Sequence, residues 1–403
     1  MGRVWAFALL FVLLALPLTG CWSRHELNDL SIVVGLGIDK FNDKYKVTSQ
    51  IVNPAKVASK RDGGQNLSSP VVTYEEEGAT VPEALARMTV KAPRRMYFAH
   101  LRMLVIGEEL AREGVGKPLD FISRNRDMRT DFFIVVARHS SASQILKMNS
   151  AIDPIPSNNL YTKLETSDKL WAATGKITLD KMIEELFKEG KNPVLTGIEI
   201  LGDPNQGKKQ ANGQNVEPRV LLQYSGMAIF NVDRMVDWLD ENDAKTFNYL
   251  QNSVKETTAF VPCPQKKPGN MTAQIVRSRN RIETKISNDG QPEIDVYQNT
   301  QMDISDIECD VDVLDPKIQE ELTEAVNQKI IRVLSASVRK SQTTLELDYF
   351  GFGDVVHRQN PKYWRKIKNW NNVYKNMEIR IHSHVDLRRI GTTLQPIEHA
   401  KVE

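Results

Sequence analysis

The residues nearest to a catalytic spacing are His382-Ser383-His384-Val385-Asp386. Two imidazoles and a carboxylate on alternate positions are ligand types with which metallo-hydrolases hold a metal and ionise its water. Leu387 stands where such a run would add another His, and no second ligand cluster appears elsewhere in the sequence. Asp306, Glu308, Asp310 and Asp312 offer carboxylates at even spacing. A calcium loop of the EF-hand type needs a glycine at its sixth position and a bidentate glutamate at its end, and neither is in place. The chain also lacks a Gly-x-Ser-x-Gly elbow, a Walker loop and a His-Glu-x-x-His helix. The expectation is a protein that is not an enzyme, with no catalytic residue and no metal site.

The cysteines are the next reactive groups, and there are three: Cys21, Cys263 and Cys309. Cys21 closes the sequence Leu18-Thr19-Gly20-Cys21, after a positive start at Arg3 and a charge-free apolar run from Val4 to Leu18. That run reads as a signal peptide over residues 1–20, because crossing about 30 Å of hydrocarbon takes roughly 20 apolar residues. Small residues before a cysteine resemble a bacterial lipobox, which makes Cys21 the first residue of the mature protein and the site of a diacylglyceryl group. Two or more acyl chains anchor a protein stably where one holds it only marginally. No other cofactor is expected. Myristoylation at Gly2 is disfavoured, since Ala6 stands where Ser or Thr is required. Export would allow Cys263 and Cys309 to form a bridge, and two free thiols remain an equal alternative.

Several elements are legible from periodicity. Leu30 to Ile38 is a nearly unbroken apolar run and Tyr45 to Ile51 alternates, so both read as strands. Gly35-Leu36-Gly37-Ile38-Asp39 lacks the third glycine of a dinucleotide fingerprint, and its glycines point to close packing or a bulge. Pro54 to Pro70 is polar and rich in Gly, Ser and Lys, an exposed connection. After a strand at Val71 to Glu76, Thr80-Val81-Pro82-Glu83 is a capping box opening a helix that buries Val81, Ala84, Leu85 and Met88. Strands at Leu101 to Ile106 and Phe132 to Ala137 flank helices near Glu108 to Glu113 and Pro118 to Arg124. Further helices are expected over Ala142 to Met148, Asn158 to Ala172 and Thr178 to Lys188.

The polar stretch Asp203 to Pro218 reads as a surface loop, and Val220 to Phe230 as a strand. Helical patterns surround Val236 and Phe247. Ile307, Cys309, Val311 and Val313 alternate with the four carboxylates as a strand with a solvated face. Asp315-Pro316 caps the longest helix, with Ile318, Leu322, Val326, Ile330, Val333 and Leu334 on one side, packed across a sheet that includes Met377 to Leu387. The aromatics of Tyr363-Trp364-Arg365-Lys366-Ile367-Lys368-Asn369-Trp370 read as core residues of an amphipathic helix.

With 403 residues, 41% hydrophobic and 26% charged, the chain has material for two or three packed domains. Its formal charge of +2 is too close to balance for a non-specific nucleic-acid binder, so no nucleic acid is expected as a partner. The fold class is α+β, with mixed sheets and packed helices. The expected divisions are 1–20 signal peptide, 21–140 an N-terminal α+β domain, 141–215 a mainly helical middle domain and 216–403 a C-terminal α+β domain with the long helix.

Four stretches carry a family resemblance: Gly20-Cys21-Trp22-Ser23-Arg24-His25-Glu26-Leu27-Asn28-Asp29-Leu30 running into Val33-Val34-Gly35-Leu36-Gly37-Ile38-Asp39; Pro93-Arg94-Arg95-Met96-Tyr97-Phe98-Ala99-His100-Leu101-Arg102 with Val105 to Gly114; Asn192-Pro193-Val194-Leu195-Thr196-Gly197-Ile198-Glu199; and Asp348-Tyr349-Phe350-Gly351-Phe352-Gly353-Asp354 followed by Trp364. In this order they resemble the C subunit of bacterial spore germinant receptors, the Ger(x)C or GerAC type. The resemblance implies three α+β domains of a family-specific fold and a lipoprotein on the outer face of the spore inner membrane. It also implies A and B integral membrane subunits as partners, and a role in nutrient-triggered germination. In that setting Arg94, Arg95, His100 and Arg102 are candidate partner-binding residues, since fixed cations can pair with carboxylates on another subunit. The rival expectation is a lipoprotein that captures the germinant itself.

Overall fold

The computed structural model describes residues 29–53, 69–150 and 152–390, together with residues 2, 3 and 5. Nearly all of the expected signal peptide, Cys21 with its lipobox, and most of the connection over Pro54 to Pro70 lie outside the described residues.

The apolar run after Leu30 forms β1 (Leu30–Phe41), which turns at Asn42 (φ 51°) into β2 (Lys44–Val52). Asparagine tolerates this left-handed conformation, where a β-branched residue would be strained. β3 (Val71–Gly78) pairs with β2. α1 (Val81–Met88) starts where the Thr80 side chain accepts the Glu83 N–H and the Glu83 carboxylate accepts the Ala79 N–H at 2.8 Å, and it buries the four expected residues. Then come β4 (Arg95–Tyr97), β5 (Met103–Gly107), α2 (Glu108–Glu113), α3 (Gly116–Arg124) and β6 (Phe133–Ala137). α4 (Ala142–Leu146), α5 (Pro156–Leu170), α6 (Leu179–Phe187) and β7 (Val194–Leu201) follow. Two short helices, α7 (Pro204–Gly207) and α8 (Gln210–Gln214), occupy the stretch expected as a loop, the first opened by the Asp203 carboxylate accepting the Asn205 N–H. β8 (Leu221–Asn231) and β9 (Arg234–Leu239) complete a sheet of order β3-β2-β1-β5-β6-β7-β8-β9, with β4 added beside the start of β1. Val236 therefore lies in a strand, against the helical expectation, because pairing with β8 overrides its local pattern.

β1, β5, β6 and β7 run parallel at the centre, so their side chains are buried on both faces and their sequences read as continuous apolar runs. Leu104, Ile106, Ile134 and Val136 meet α1, α2 and α3 on one face, while Met103, Val105, Phe133 and Val135 meet α4 and α5 on the other. Gly35 and Gly37 lie under that second layer. A Cβ at Gly35 would overlap the Ser157 hydroxyl, and one at Gly37 would come within 3.0 Å of Leu146. The register also shifts between Val33 and Gly35, so close packing and irregular pairing coincide there.

After α9 (Glu241–Leu250), a second sheet of order β10-β11-β12-β13 is built from β10 (Thr257–Pro262), β11 (Asn270–Ile286) and β12 (Pro292–Ile307). α10 (Pro316–Lys340), α11 (Phe352–Gln359), α12 (Pro361–Trp364) and α13 (Trp370–Tyr374) intervene before β13 (Glu378–Arg389), which pairs parallel with β12. A parallel pair demands such a crossover. As expected, α10 buries Ile318, Leu322, Val326, Ile330 and Leu334 against this sheet. The fold is α+β with two mixed sheets.

Two expectations are corrected here. The strand expected through Val313 ends at Ile307. Cys309, Val311 and Val313 stay buried while Glu308, Asp310 and Asp312 stay exposed, so the alternation reported burial correctly and ladder pairing incorrectly. The segment around Trp364 is two short helices rather than one, although its aromatics do join the core that links the two sheets.

Candidate functional site

Arg94, Arg95, His100 and Arg102 lie on the segment joining α1 to β5, and all four are exposed. Met96, Phe98 and Leu101 are buried between them. Apolar residues pulled into the core therefore leave the cations along an outer ridge. Arg95 pairs with Asp127 at 2.9 Å in an exposed bridge of the kind that contributes about 0–1 kcal/mol. The His100 ring meets Tyr97 edge-on at 5.8 Å, and the Arg102 guanidinium stands 5.0 Å from the Tyr161 ring centroid. The Arg102 backbone is locked between strands, its N–H donating to Val34 at 2.9 Å and its carbonyl accepting from Phe133 at 3.0 Å.

β4 runs parallel to β1 with Arg95 opposite Leu30, so the ridge begins at the end of the sheet where β1 starts. The Arg95–Asp127 contact brings in a second loop, which carries exposed Arg126 and Arg129. Sequence reasoning missed these two. They are thirty positions away along the chain, and only the packing of α3 beside α1 joins the loops.

The His382 run does not assemble a metal site. Of its side chains, His382 reaches across to β12, with Arg380 and Arg388 doing the same on either side of the run, while His384 pairs with Asp386 along its own strand. Arg380 grips Asp295 with Nε at 2.9 Å and Nη2 at 3.0 Å and reaches Glu293 at 2.8 Å. His382 Nε2 lies 2.8 Å from the same Asp295, and its ring stacks on Tyr297 at 4.9 Å. The Arg380 guanidinium first, and then His382, hold the Asp295 carboxyl well below the usual carboxylate range. His384 pairs with Asp386 at 3.0 Å, and Arg388 with Asp303 at 2.7 Å. Among the described residues no three His, Cys, Asp or Glu side chains converge to hold a metal ion. Cys263 and Cys309 form a disulfide with Cα atoms 6.1 Å apart, tying the end of β10 to the segment that leaves β12.

The last quoted motif, Asp348 to Asp354, is structural. The buried Asp348 carboxylate accepts the backbone N–H groups of Gly351, Phe352 and Gly353 and the indole N–H of Trp370.

Comparison with known proteins matches residues 23–200 to the family model described as "Spore germination protein N-terminal domain" and residues 225–391 to "Spore germination B3/ GerAC like, C-terminal". The chain is 31% identical to "Spore germination protein KC" of Bacillus subtilis (strain 168), with 99% of each chain covered. It is 24% identical to "Spore germination protein B3" of the same organism, over 96% of this chain and 98% of that one. The crystal structure of the GerBC protein shares the fold, with a TM-score of 0.53 at 17% identity, over 88% of this chain and 96% of that chain.

Proposed function

Because the chain belongs to the GerAC-like family of spore germination proteins, and so has its role in germination, we propose that it is the lipid-held C subunit of a nutrient germinant receptor. In this reading Cys21 carries the diacylglyceryl anchor on the outer face of the spore inner membrane. The folded body docks on the integral A and B subunits and couples with them, without catalysis of its own. The observation that carries the reading is the position of the basic ridge: Arg95 pairs with Leu30, nine positions after Cys21. Nine extended residues span at most about 30 Å, so an anchor at Cys21 would keep Arg94, Arg95 and the Arg126–Arg129 loop close to the bilayer and to subunits within it. Tethering raises the local concentration of a partner, so modest exposed ion pairs suffice for assembly. Among the described residues no helix is long and apolar enough to cross a membrane, which suits attachment by a lipid.

Two measurements test the proposal. Mass spectrometry of the mature N-terminal peptide from spore membranes should find Cys21 acylated, and Cys21→Ala should release the protein from the membrane fraction. Co-purification from detergent-solubilised membranes should recover the A and B subunits, and Arg94→Ala with Arg95→Ala should weaken that recovery at normal protein levels. A chain with unmodified Cys21 that supports a full germination response would sink the anchoring part. Unchanged assembly in the double variant would sink the docking part.

A further inference from the structure

Arg138, the residue immediately after β6, stands at the carboxyl end of the parallel strands, where open α/β sheets place their ligands. Its backbone N–H donates to the Ile198 carbonyl at 2.7 Å, which fixes its Cα. Its guanidinium lies 5.0 Å from the Trp238 ring centroid and donates through Nη1 to the Ser225 hydroxyl at 3.2 Å, while Nε is buried without an acceptor. Trp238 is itself held, its indole N–H donating to Glu108 at 3.0 Å. Two glycines make the room. A Cβ on Gly197 would overlap the Trp238 ring, and one on Gly226 (φ 66°) would come within 3.0 Å of Nη1.

A cavity of about 520 Å³ opens beside this group, lined by Arg138, Trp171, Thr174, Ser225, Gly226 and Trp238. Its volume falls within the roughly 300–1,000 Å³ usual for small-molecule sites. Asp240 and Glu241 also border it, and both are engaged by lysines: Lys340, which Asp240 shares with Asp243, lies 3.1 Å from Asp240, and Lys245 lies 3.1 Å from Glu241. Among the described residues no carboxylate forms an ion pair with Arg138. It is thus a half-buried guanidinium with five N–H donors and one hydroxyl for an acceptor. A buried donor left without an acceptor is costly, as Nε is here, and a planar guanidinium is matched best by a carboxylate. Lys245 lies 3.5 Å from the Trp171 ring centroid and is held by Glu241, so Arg138 is, among the described residues, the one cation lining the cavity, and a single lining cation suits a monoanion with an apolar body better than a phosphate, which draws several.

We propose that this cavity binds a small organic monocarboxylate, with the carboxylate on Arg138 and Ser225 and the carbon body against Trp171 and Trp238. The site lies on β6, β8 and β9 and does not depend on the anchoring proposal. The test uses the full chain in detergent, with 3-phenylpropionate and propionate as probes and their amides as uncharged isosteres, followed by calorimetry and ligand-observed NMR. The expected result is saturable binding of the acids, at least roughly tenfold weaker binding of the amides, and a similar loss in Arg138→Gln with an unchanged melting temperature. Ser225→Ala should weaken binding by a smaller factor and serves if Arg138→Gln does not fold. Equal binding of acid and amide, undiminished binding by a folded Arg138→Gln, or no saturable binding of either acid would overturn the proposal.

Discussion

The indole N–H of Trp370 donates to the carboxylate of Asp348 across 2.9 Å, in a core where both side chains are buried. The same carboxylate receives N–H groups from Gly351 at 2.8 Å, Phe352 at 3.1 Å and Gly353 at 2.7 Å, so it caps the start of α11 and joins α13 to it. This knot sits where Val194, Met227 and Ile229 of the first sheet meet Ile294 and Val296 of the second. Asp348→Ala would leave three backbone donors and one indole donor without an acceptor. A loss on the order of 3 kcal/mol is expected in urea unfolding, and Trp370→Phe should lose about 1–2 kcal/mol.

The pH dependence of Asp348 runs opposite to the usual carboxylate. Burial raises its pKa to about 6, against the opposing pull of its donors, while an unfolded chain holds Asp near about 3.9. The folded state therefore binds the proton more tightly. This residue favours folding most below about pH 4, and its contribution falls as pH rises towards about 6, beyond which it is constant. The unfolding free energy of the wild-type chain minus that of Asp348→Asn should fall as pH rises between those values, and a difference that stays flat would contradict the assignment.

Asp295 has the other sign. With Arg380 and then His382 stabilising its charged form, its contribution is present above the unfolded value of about 3.9 and is lost as pH falls through the depressed folded value. Acid unfolding followed by circular dichroism should lose part of its steepness below about pH 4 in Asp295→Asn. An identical acid limb in both proteins would contradict the assignment.

The disulfide between Cys263 and Cys309 closes a loop with a sequence separation of 46. Loop-closure entropy for that length corresponds to about 4 kcal/mol as an upper figure. Cys263→Ser with Cys309→Ser should lower the urea midpoint correspondingly, and reductant should lower the wild-type midpoint without affecting the double variant.

Gly35→Ala tests the close approach of β1 to α5. The added methyl would overlap the Ser157 hydroxyl and come within 3.0 Å of Leu146, in a layer already filled by Leu160 and Leu164. Overpacking of this kind costs about 1–3 kcal/mol. Gly37→Ala, which meets only side-chain carbons of Leu146 and Ala142 at 3.0 and 3.2 Å among its nearest contacts besides one backbone carbon, should be milder in the same thermal-melting series.

Local patterns carried much of this molecule. The Thr80 cap on the Glu83 N–H, the buried face of α1, the long helix after Asp315 and the central strands follow from residues a few positions apart, so spacing alone marks them. The ridge from Arg94 to Arg102 was legible for the same reason, as a contiguous run whose apolar members turn inward. Cys21 was marked by its neighbours in sequence and lies outside the described residues. Features that need partners far apart along the chain were set by the packing. These are the joining of Arg126 and Arg129 to the ridge, the pairing of His382 with Asp295, the bond between Cys263 and Cys309, and the strand identity of Val236. In each case periodicity reports which face of a segment leaves water, whereas the group that meets that face is chosen by the packing of the whole chain.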